Sequence, residues 1–483
     1  MPFRSILTSL LLIAGADAFA QTIAITGATV YDGTSTSAPI NDAVILVQQQ
    51  KILCVGDQHD CAIQDNMEVF DFTGSYITPG LIDAHVHFML SNWFDTRQDS
   101  GIDAGHYDYE AATKDMKDNS DRVHRSYLCT GITGVFDAGG YSWTLDLGAE
   151  AEHNHERVHV TAAGPLITHA SRAFPLFTAM GESAFLPMQS DQEAIASVQM
   201  LAQMGSKAIK VWYLPPKPEE QEVLDTRLML IGREAKAVGL PLVIHATDLR
   251  GAKVAIQAGA HALLHSISDQ LVDEEFLQLA KEQGTYYAPT LNVGKNWARG
   301  FVSVATGQVY PLDDPNNCID SVTKSKIAES DSIQNSIPED RKELPGLYRW
   351  LEYVGKSEAT MMENLRKVSA AGIRIATATD AGHPLTFHGP SIYSEMEAME
   401  RAGLSPVDII VMSTQNGAGV MGRLQDLGTL EKGKIADLAI LAEDPGRSTK
   451  AFRTITHVMR EGQLNEIRFF SNKNSHVNKS VSE

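Results

Sequence analysis

The chain has 483 residues, of which 43% are hydrophobic and 21% are charged, and its formal net charge is −20. This composition is typical of a globular protein with a large core and excludes an intrinsically disordered chain. The acidic balance argues against nucleic acid as a partner, because phosphate binding requires clustered Lys and Arg side chains.

The first twenty residues are typical of a secretory signal peptide. Arg4 precedes an apolar run over residues 6–14, and the small residues near Ala18 and Ala20 supply a cleavage site. A membrane anchor would need about 20 consecutive apolar residues, which is roughly twice the length of this run. We therefore predict cleavage near Ala20 and a secreted or periplasmic mature protein with no membrane anchor.

Alternating strand patterns occupy both ends of the remaining chain. These patterns cover residues 22–30, 43–48, 52–55 and 428–462. We predict a small β-sandwich domain that combines residues 22–77 with residues 424–468, and a flexible tail over residues 469–483.

The four cysteines lack the paired C-x-x-C spacing of a zinc ribbon. Cys54 and Cys61 flank an expected turn at Gly56-Asp57, so they could form a disulfide in an oxidising compartment. Buried free thiols are an equally favoured alternative.

Short strand patterns alternate with helical patterns between about residues 78 and 420, which is typical of a parallel α/β architecture. The eight strand patterns cover residues 81–87, 134–138, 158–163, 208–214, 241–246, 262–266, 285–290 and 374–379. Glycines at positions 205, 239 and 284 follow three of the helical patterns and can cap the helix ends. Eight such repeats predict a (β/α)8 TIM barrel over residues 78–423.

The gap between the seventh and eighth strand patterns is too long for a simple connecting loop. Residues 295–345 include a stretch rich in Asp, Asn, Ser and Pro. We interpret this segment as an insertion over the active-site face, and a peripheral excursion without a catalytic role is the alternative.

His85 and His87 lie at the end of the first of these strands in the sequence Pro79-Gly80-Leu81-Ile82-Asp83-Ala84-His85-Val86-His87. Side chains alternate along a strand, so both imidazoles project to the same side. This spacing suits a metal site, although two packed histidines would show the same pattern.

Three further residues follow strand patterns in the same way. His245 closes the fifth pattern, His265 closes the sixth, and Asp380 follows the eighth. Active sites of TIM barrels are built at the carboxyl ends of the strands. Histidines and a carboxylate at four strand ends therefore predict a metal centre at the barrel mouth.

The sequence resembles the amidohydrolase superfamily over nearly all of residues 24–463. The most specific stretches are residues 77–87, 259–265, 378–382 and 427–438, the last of which reads Leu-Gly-Thr-Leu-Glu-Lys-Gly-Lys-Ile-Ala-Asp-Leu. More narrowly, the chain is similar to the imidazolonepropionase-like and prolidase-like branch, whose members are two-metal enzymes.

The resemblance implies two divalent metal ions, expected to be Zn²⁺, joined by a carboxylated lysine. Lys210 lies at the end of the fourth strand pattern, whereas its near rival Lys207 precedes that pattern. The implied ligands of the first metal are His85, His87 and Asp380, those of the second are His245 and His265, and Lys210 bridges the two.

The implied reaction is hydrolysis of a C–N amide bond in a small molecule, such as a dipeptide or an N-acyl amino acid. A metal-bridging hydroxide would attack the carbonyl, and Asp380 would pass a proton to the departing amine. A cyclic amide or lactone hydrolase, or a deaminase, is the alternative on the same fold. The non-enzymatic alternative is a metal- or ligand-binding protein. We also expect a homo-oligomer.

Three residues near strand ends are candidates for substrate binding. They are His169 in the loop after the third strand pattern, Tyr213, and His388. Each could equally be an exposed or packed residue. Many relatives carry His or Tyr two places after the fifth-strand histidine, where this chain has Thr247, so their substrate preference does not transfer directly.

Overall fold

The structure is a computed structural model that describes residues 22–35, 38–102, 106–336 and 344–471, without the side chains of residue 336 and residues 344–350. The predicted signal peptide and residues 472–483 of the predicted tail lie outside the described residues. In the described part of the chain, no helix is both long enough and apolar enough to cross a membrane.

The strands of the described residues are numbered in chain order. They are β1 (Thr22–Val30), β2 (Ile40–Gln48), β3 (Lys51–Gly56), β4 (Glu68–Asp71), β5 (Tyr76–Pro79), β6 (Leu81–Val86), β7 (Ile132–Asp137), β8 (His159–Ala162), β9 (Leu166–Thr168), β10 (Thr178–Ala179), β11 (Glu182–Ser183), β12 (Phe185–Pro187), β13 (Ile209–Trp212), β14 (Leu242–His245), β15 (Ala260–Leu264), β16 (Tyr286–Ala288), β17 (Leu438–Leu441), β18 (Ile455–Arg460) and β19 (Gln463–Glu466).

The α-helices are α1 (Tyr109–Asp118), α2 (Asp121–Leu128), α3 (Leu147–Ala151), α4 (Ala173–Leu176), α5 (Asp191–Gln203), α6 (Gln221–Ala237), α7 (Leu249–Gln257), α8 (Glu274–Gln283), α9 (Val293–Thr306), α10 (Ser321–Ala328), α11 (Ser330–Ser336), α12 (Leu344–Ala370), α13 (Ser391–Arg401), α14 (Pro406–Met412) and α15 (Gln415–Val420). Short 3-10 helices cover Phe94–Thr96, Gln98–Ser100, Ser142–Leu145, Pro218–Glu220, Thr449–Thr454 and Ile467–Phe469.

Local sequence signals fix the ends of several helices. Ser190 and Glu193 form a capping box at the start of α5, in which each side chain bonds the backbone N–H of the other. Asp273 caps the start of α8, and Gly284 ends that helix in the left-handed conformation that glycine adopts without strain. The predicted capping role of Gly284 is therefore confirmed.

The two ends of the chain meet in one mixed sheet. Its strand order is β19-β18-β17-β5-β1-β2-β3, and β4 pairs with β1. The sheet curls on itself, because Lys51 in β3 forms an antiparallel bridge with Ile435, just before β17. Ile45 of β2 and Leu438 of β17 consequently share one buried cluster. The hydrogen bonds thus form one continuous curled sheet, whereas a sandwich requires two stacked sheets.

The central region contains two parallel sheets. One has the order β6-β7-β8, and the other has the order β12-β9-β13-β14-β15-β16. Backbone contacts link the two sheets: Lys207 N donates to Ala162 O at 3.0 Å, and Val86 forms a parallel bridge with Ala381. The parallel α/β architecture with an additional β domain is therefore present, but the described strands do not form one closed barrel sheet.

The eighth predicted strand, residues 374–379, is present only as isolated bridges. Ile375 forms a parallel bridge with Tyr287 of β16. The pattern is then interrupted, because the Thr379 N–H donates to the Asp83 carboxylate at 3.0 Å and the Thr377 N–H donates to Met412 O at 3.0 Å. Backbone groups that bond to a side chain or a helix end cannot continue a regular strand ladder.

The predicted insertion is helical where it is described. It contributes most of α9 together with α10 and α11, while residues 337–343 lie outside the described part. An ion pair between Lys326 and Asp95 and a hydrogen bond from Thr323 to Ser91 O attach α10 to the loop after β6. The insertion is therefore anchored next to the catalytic end of the first parallel strand.

All four cysteines form disulfides. Cys54 pairs with Cys61 at a separation of 7 residues, so the disulfide alternative was the right one for this pair. Cys129 pairs with Cys318 at a separation of 189 residues, a pairing that the sequence did not predict. The second disulfide joins the end of α2 to the insertion.

The start of the predicted flexible tail belongs to the fold. Phe470 is only 3% exposed, and the guanidinium of Arg125 lies 5.3 and 5.4 Å from the ring centres of Phe469 and Phe470. Burial of an aromatic ring and the cation–π contacts hold these residues in place. The ordered chain thus extends past the predicted boundary at residue 469.

Candidate metal centre

A cavity of about 550 Å³ opens at the carboxyl ends of the parallel strands. Five of the six predicted metal ligands lie in strands or at strand ends next to this cavity. The sixth, Asp380, lies in the segment of residues 375–381, which forms bridges with β16 and β6. All six line the cavity wall: His85, His87, Lys210, His245, His265 and Asp380. The structure therefore brings together residues that are almost 300 positions apart in the chain.

His85, His87 and Asp380 form one compact part of the cluster. The Nε2 atoms of both histidines lie 3.2 Å from Asp380 Oδ1 and 3.2 Å from each other. These side chains are buried, with His85 and Asp380 only 1% and 3% exposed. Two imidazole nitrogens and a carboxylate oxygen at this spacing can converge on one ion.

Hydrogen bonds to the backbone orient His87. Its Nδ1 donates to Gly139 O at 2.7 Å, so in the neutral ring Nε2 carries a lone pair. Nε2 lies 3.2 Å from Asp380 Oδ1, so a proton or a metal ion between the two atoms would interact favourably with both groups. This arrangement fits a metal ion, since a ligating histidine usually donates its other ring N–H to a carbonyl or carboxylate.

Asp83 holds the two metal-binding segments in register. Its carboxylate accepts hydrogen bonds from Thr379 Oγ1 at 2.6 Å and from the backbone N–H of His85 at 3.3 Å. Burial raises the pKa of Asp83 to about 7, and the donated hydrogen bonds oppose this rise. Asp83 therefore links β6 to the residue that precedes Asp380.

His245 and His265 form the other side of the cluster. Their ring centres lie 4.3 Å apart, and His265 Nδ1 lies 2.8 Å from Thr290 Oγ1 and 3.9 Å from Asp380 Oδ2. His265 and Asp380 both have left-handed backbones, with φ of 77° and 62°. Such strained conformations persist where the surrounding structure fixes a functional side chain.

Lys210 is almost completely buried in β13, with 1% exposure. Burial disfavours the charged ammonium and lowers the pKa of Lys210 to about 7, although the Asp380 carboxylate opposes this effect. Near neutral pH, Lys210 is therefore an uncharged amine in a large fraction of the protein molecules. The uncharged amine is the form that can react with carbon dioxide.

The electrostatic state of the cluster also suits a metal. Burial lowers the pKa of His265 to about 3 and keeps the pKa values of His85 and His245 far below the usual range, so these rings are neutral donors. Burial alone would raise the pKa of Asp380, but the neighbouring His383 and His85 imidazoles hold it well below its ordinary value. The site thus offers neutral imidazoles around an ionised carboxylate, as a divalent cation requires.

The model of the amidohydrolase family matches residues 76–475, which is most of the chain. The chain belongs to the amidohydrolase family. This amidohydrolase is accordingly a metal-dependent hydrolase that acts on carbon–nitrogen bonds.

Individual relatives of the amidohydrolase are distant. It is 22% identical over 432 residues to an imidazolonepropionase of Geobacillus sp. (strain WCH70), covering 83% of this chain and 84% of the relative. It is also similar to the crystal structure of a Xaa-Pro dipeptidase with bound methionine (TM-score 0.69, 21% identity, 92% of this chain and 100% of that one). The structure of a prolidase complexed with N-methylphosphonate-L-proline has a TM-score of 0.67 at 18% identity, with coverage of 92% and 100%. At these identities, the structural similarity shows a shared fold.

His383 is a site residue of the amidohydrolase that the sequence analysis missed. Its Nε2 lies 3.2 Å from Asp380 Oδ1, and its Nδ1 lies 3.1 Å from Arg97 Nη1. His87, Asp380 and His383 form one candidate ligand group, and His85, His265 and Asp380 form another. The available signal was the sequence Asp380-Ala381-Gly382-His383, whose last residue lies just past the stretch that was singled out.

The three predicted substrate-binding residues do not line the cavity. His388 uses both ring nitrogens inside the protein, on the Tyr127 hydroxyl at 2.7 Å and on Leu90 O at 2.9 Å. The Tyr213 hydroxyl donates to Asp225, and its ring packs against His169. These contacts argue against a direct role in substrate binding and explain the positions of Tyr213 and His388 by packing.

The insertion does contribute to the site of the amidohydrolase. Trp297 and Phe301 of α9 line the cavity, together with Val293 at the start of that helix. The interpretation of the segment as part of the active-site face is thus favoured over a purely peripheral excursion.

Proposed function

We propose that this protein hydrolyses the C–N amide bond of a small peptide-like substrate, such as a dipeptide or an N-acyl amino acid, at a binuclear zinc centre. The observation that carries the proposal is the convergence of the Nε2 atoms of His85, His87 and His383 on Asp380 Oδ1, each at 3.2 Å, in a cavity that five histidines and the buried Lys210 line. The structural similarity to a Xaa-Pro dipeptidase and to a prolidase supports this substrate class.

The positions of the side chains around one cavity support an assignment of ligands to two ions. His85, His87 and Asp380 would hold one ion, His245 and His265 the other, and Lys210 in its carboxylated form would bridge them. When bound, the ions would supply Lewis-acid activation of water and of the scissile carbonyl. A (β/α)8 barrel interrupted at residues 374–381 would place all of these ligands at one mouth.

The protein's own groups would handle the proton. Asp380 is held ionised by its neighbouring imidazoles, so its carboxylate can accept a proton and later return it to the departing amine nitrogen. An amide needs this step because a free amide anion is a poor leaving group. The aromatic walls of the cavity would exclude water from the reacting bond.

The test compares the wild type with Asp380→Asn on dipeptides, N-acyl amino acids, lactones, cyclic amides and deaminase substrates. We expect release of an amine from one of the first two groups and a drop in kcat of about 10²- to 10⁴-fold in the variant. Equal activity of the two forms would overturn the role of Asp380, and activity confined to the other groups would overturn the substrate class.

A cyclic amide is the second candidate substrate. The observation in its favour is the similarity to an imidazolonepropionase over 84% of that relative. The substrate panel separates the two, because ring opening yields a single product whereas hydrolysis of a linear amide yields two.

We also propose that the protein is exported, with cleavage near Ala20. The pairing of all four cysteines supports an oxidising compartment, where disulfides persist. N-terminal sequencing of the mature protein from a native extract should start at Gln21, and an intact Met1 would contradict the proposal.

A further inference from the structure

The wall of the cavity next to His383 carries a guanidinium group. Arg97 and Lys210 are the Lys and Arg side chains that line the cavity in the described part of the chain, and Lys210 belongs to the metal centre. Arg97 is therefore the cation that the cavity offers to a substrate beyond the metal site.

Contacts on several sides hold Arg97 in place. Its Nε donates to Asp99 Oδ1 at 2.8 Å, its Nη2 donates to Asp99 Oδ2, and its Nη1 donates to His383 Nδ1 at 3.1 Å. The guanidinium carbon also lies 4.9 Å from the ring centre of Trp297 and 5.4 Å from that of Phe177. These contacts use three of the five guanidinium N–H groups and leave two for a ligand.

The group lies at the right separation from the reacting centre for an amino acid. One imidazole ring, that of His383, separates the Arg97 guanidinium from Asp380 Oδ1. In an N-acyl amino acid, the carbon of the scissile carbonyl and that of the α-carboxylate are under about 4 Å apart, close to one Cα–Cα step. A carboxylate bound by Arg97 would thus place the amide next to the metal cluster.

Five aromatic side chains belong to the cavity wall, together with aliphatic and polar residues. Phe185 packs against Trp212 with 5.3 Å between ring centres, and Trp297 packs against Phe301 at 5.6 Å. Phe177 also packs against Phe185, with 5.4 Å between ring centres. These rings form an apolar surface that favours a large hydrophobic side chain over a polar one.

We propose that Arg97 binds the free α-carboxylate of the substrate and that the aromatic wall accepts its side chain. The substrate class is then an N-acylated amino acid, or a dipeptide, with an aromatic or large aliphatic residue on the amine side of the scissile bond. The inference rests on the proposed function, because it specifies which amides that site hydrolyses.

The experiment uses two substrates that differ only in the carboxylate. N-acetyl-L-phenylalanine contains it, and N-acetyl-2-phenylethylamine has the same amide and ring without it. The wild-type enzyme is expected to prefer the first in kcat/KM by about 10- to 100-fold, the range of a charged hydrogen bond. Arg97→Gln should abolish this preference by raising KM for the first substrate alone.

A second variant and a control separate binding from folding. Arg97→Lys retains the charge but not the planar fork, so it should keep part of the preference. Arg299→Gln is the matched control, because Arg299 also lies over an aromatic ring, that of Tyr310 at 5.3 Å, and does not line the main cavity. Thermal unfolding of all four proteins establishes that they are folded.

Three other results would each contradict a stated part of the proposal. An equal loss of kcat on both substrates in Arg97→Gln would overturn the proposal, since Arg97 would then only position His383. Equal use of both substrates by the wild type would also overturn it. Hydrolysis of other linear amides but neither of these two would overturn the substrate class alone, whereas failure on every linear amide would overturn the proposed function itself.

Discussion

At the scale of single residues, hydrogen bonds to non-ligand groups give the cluster its chemistry. The Gly139 carbonyl fixes the protonated nitrogen of His87, and Asp137 in turn accepts the Gly139 N–H at 3.0 Å. Asp83 accepts a hydrogen bond from Thr379 Oγ1 and so fixes the segment just before Asp380. Ligand orientation therefore depends on buried carboxylates that do not themselves line the cavity.

The first prediction concerns metal content. His85→Ala should lose stoichiometric metal, because it removes an imidazole whose Nε2 lies 3.2 Å from both Asp380 Oδ1 and His87 Nε2. Elemental analysis of the purified variant measures the loss, with His457→Ala in the small sheet as a matched control. Full metal content in His85→Ala would contradict the site assignment.

The second prediction concerns Glu395, which fixes the start of α9. Its two carboxylate oxygens accept the backbone N–H groups of Leu291 at 2.6 Å and Asn292 at 3.1 Å. Glu395→Gln should destabilise the protein by about 1–3 kcal/mol at pH 4.5, because the amide nitrogen cannot accept an N–H group that a carboxyl oxygen accepts. Glu329→Gln, at an exposed position, is the control.

This cost should also depend on pH. Burial raises the pKa of Glu395 from 4.5 to about 7, so the folded state binds more protons than the unfolded state between these values. The stability contributed by this group is full below about pH 4.5 and falls as the pH rises through 7. The difference in unfolding free energy between the wild type and Glu395→Gln should shrink across that window, by up to about 3 kcal/mol. A difference that grows with pH would contradict the assigned direction.

At the scale of elements, the insertion is a structural part of the site wall. Helix α9 brings Trp297 into the cavity, and the disulfide between Cys129 and Cys318 fastens the following segment to α2. The ion pair of Lys326 with Asp95 adds a second attachment. The insertion is thus anchored at two separate points on the β6 side of the molecule.

The third prediction compares the two disulfides. Removing Cys129–Cys318 by a double serine substitution should cost about 5 kcal/mol, whereas removing Cys54–Cys61 should cost about 2–3 kcal/mol, because a cross-link that closes a longer loop restricts the unfolded chain more. Denaturant unfolding of the two double variants measures both losses. A larger loss for the short loop would contradict the entropic argument.

At the scale of the whole molecule, a buried ionic network joins the small sheet to the central region. Arg460 at the end of β18 is 0% exposed. Its Nη1 lies 2.9 Å from Glu461 Oε1, and its Nε donates to Arg157 O, before β8, at 2.9 Å. His159 at the start of β8 lies 3.2 Å from Asp437 of the small-sheet region. The two regions therefore share charges that neither could bury alone.

The fourth prediction tests this network. Arg460→Met should destabilise the protein by about 3–5 kcal/mol, because it leaves the buried carboxylates of Glu461 and Asp437 without their cation. Arg447→Met, at a side chain that is 86% exposed, is the control and should change stability by under about 0.5 kcal/mol. Similar thermal midpoints for the two variants would show that the network does not stabilise the interface.

Sequence by itself predicted the alternation of strands and helices, the metal-binding residue types and the resemblance to the amidohydrolases. It could do so because these features are local: the side chains of His85 and His87 share a face through the two-residue period of a strand, and Gly284 caps a helix that ends beside it. Five of the six predicted ligands could likewise be recognised, since each ends or directly follows an apolar strand pattern, whereas Lys210 was implied by the family resemblance.

Only the tertiary structure decided which side chains meet. His383 and Arg97 are 286 residues apart, and Cys129 and Cys318 are 189 apart, so no local pattern connects them. The same holds for the irregular eighth strand, in which the N–H groups of Thr379 and Thr377 bond to Asp83 and to Met412 O instead of to a neighbouring strand. The sequence suggested His388 and Tyr213 as substrate ligands, but in the structure their polar groups bond to other parts of the protein, His388 to Tyr127 and Tyr213 to Asp225. Contacts of this kind depend on long-range packing, which the spacing of residues along the chain does not encode in a readable form.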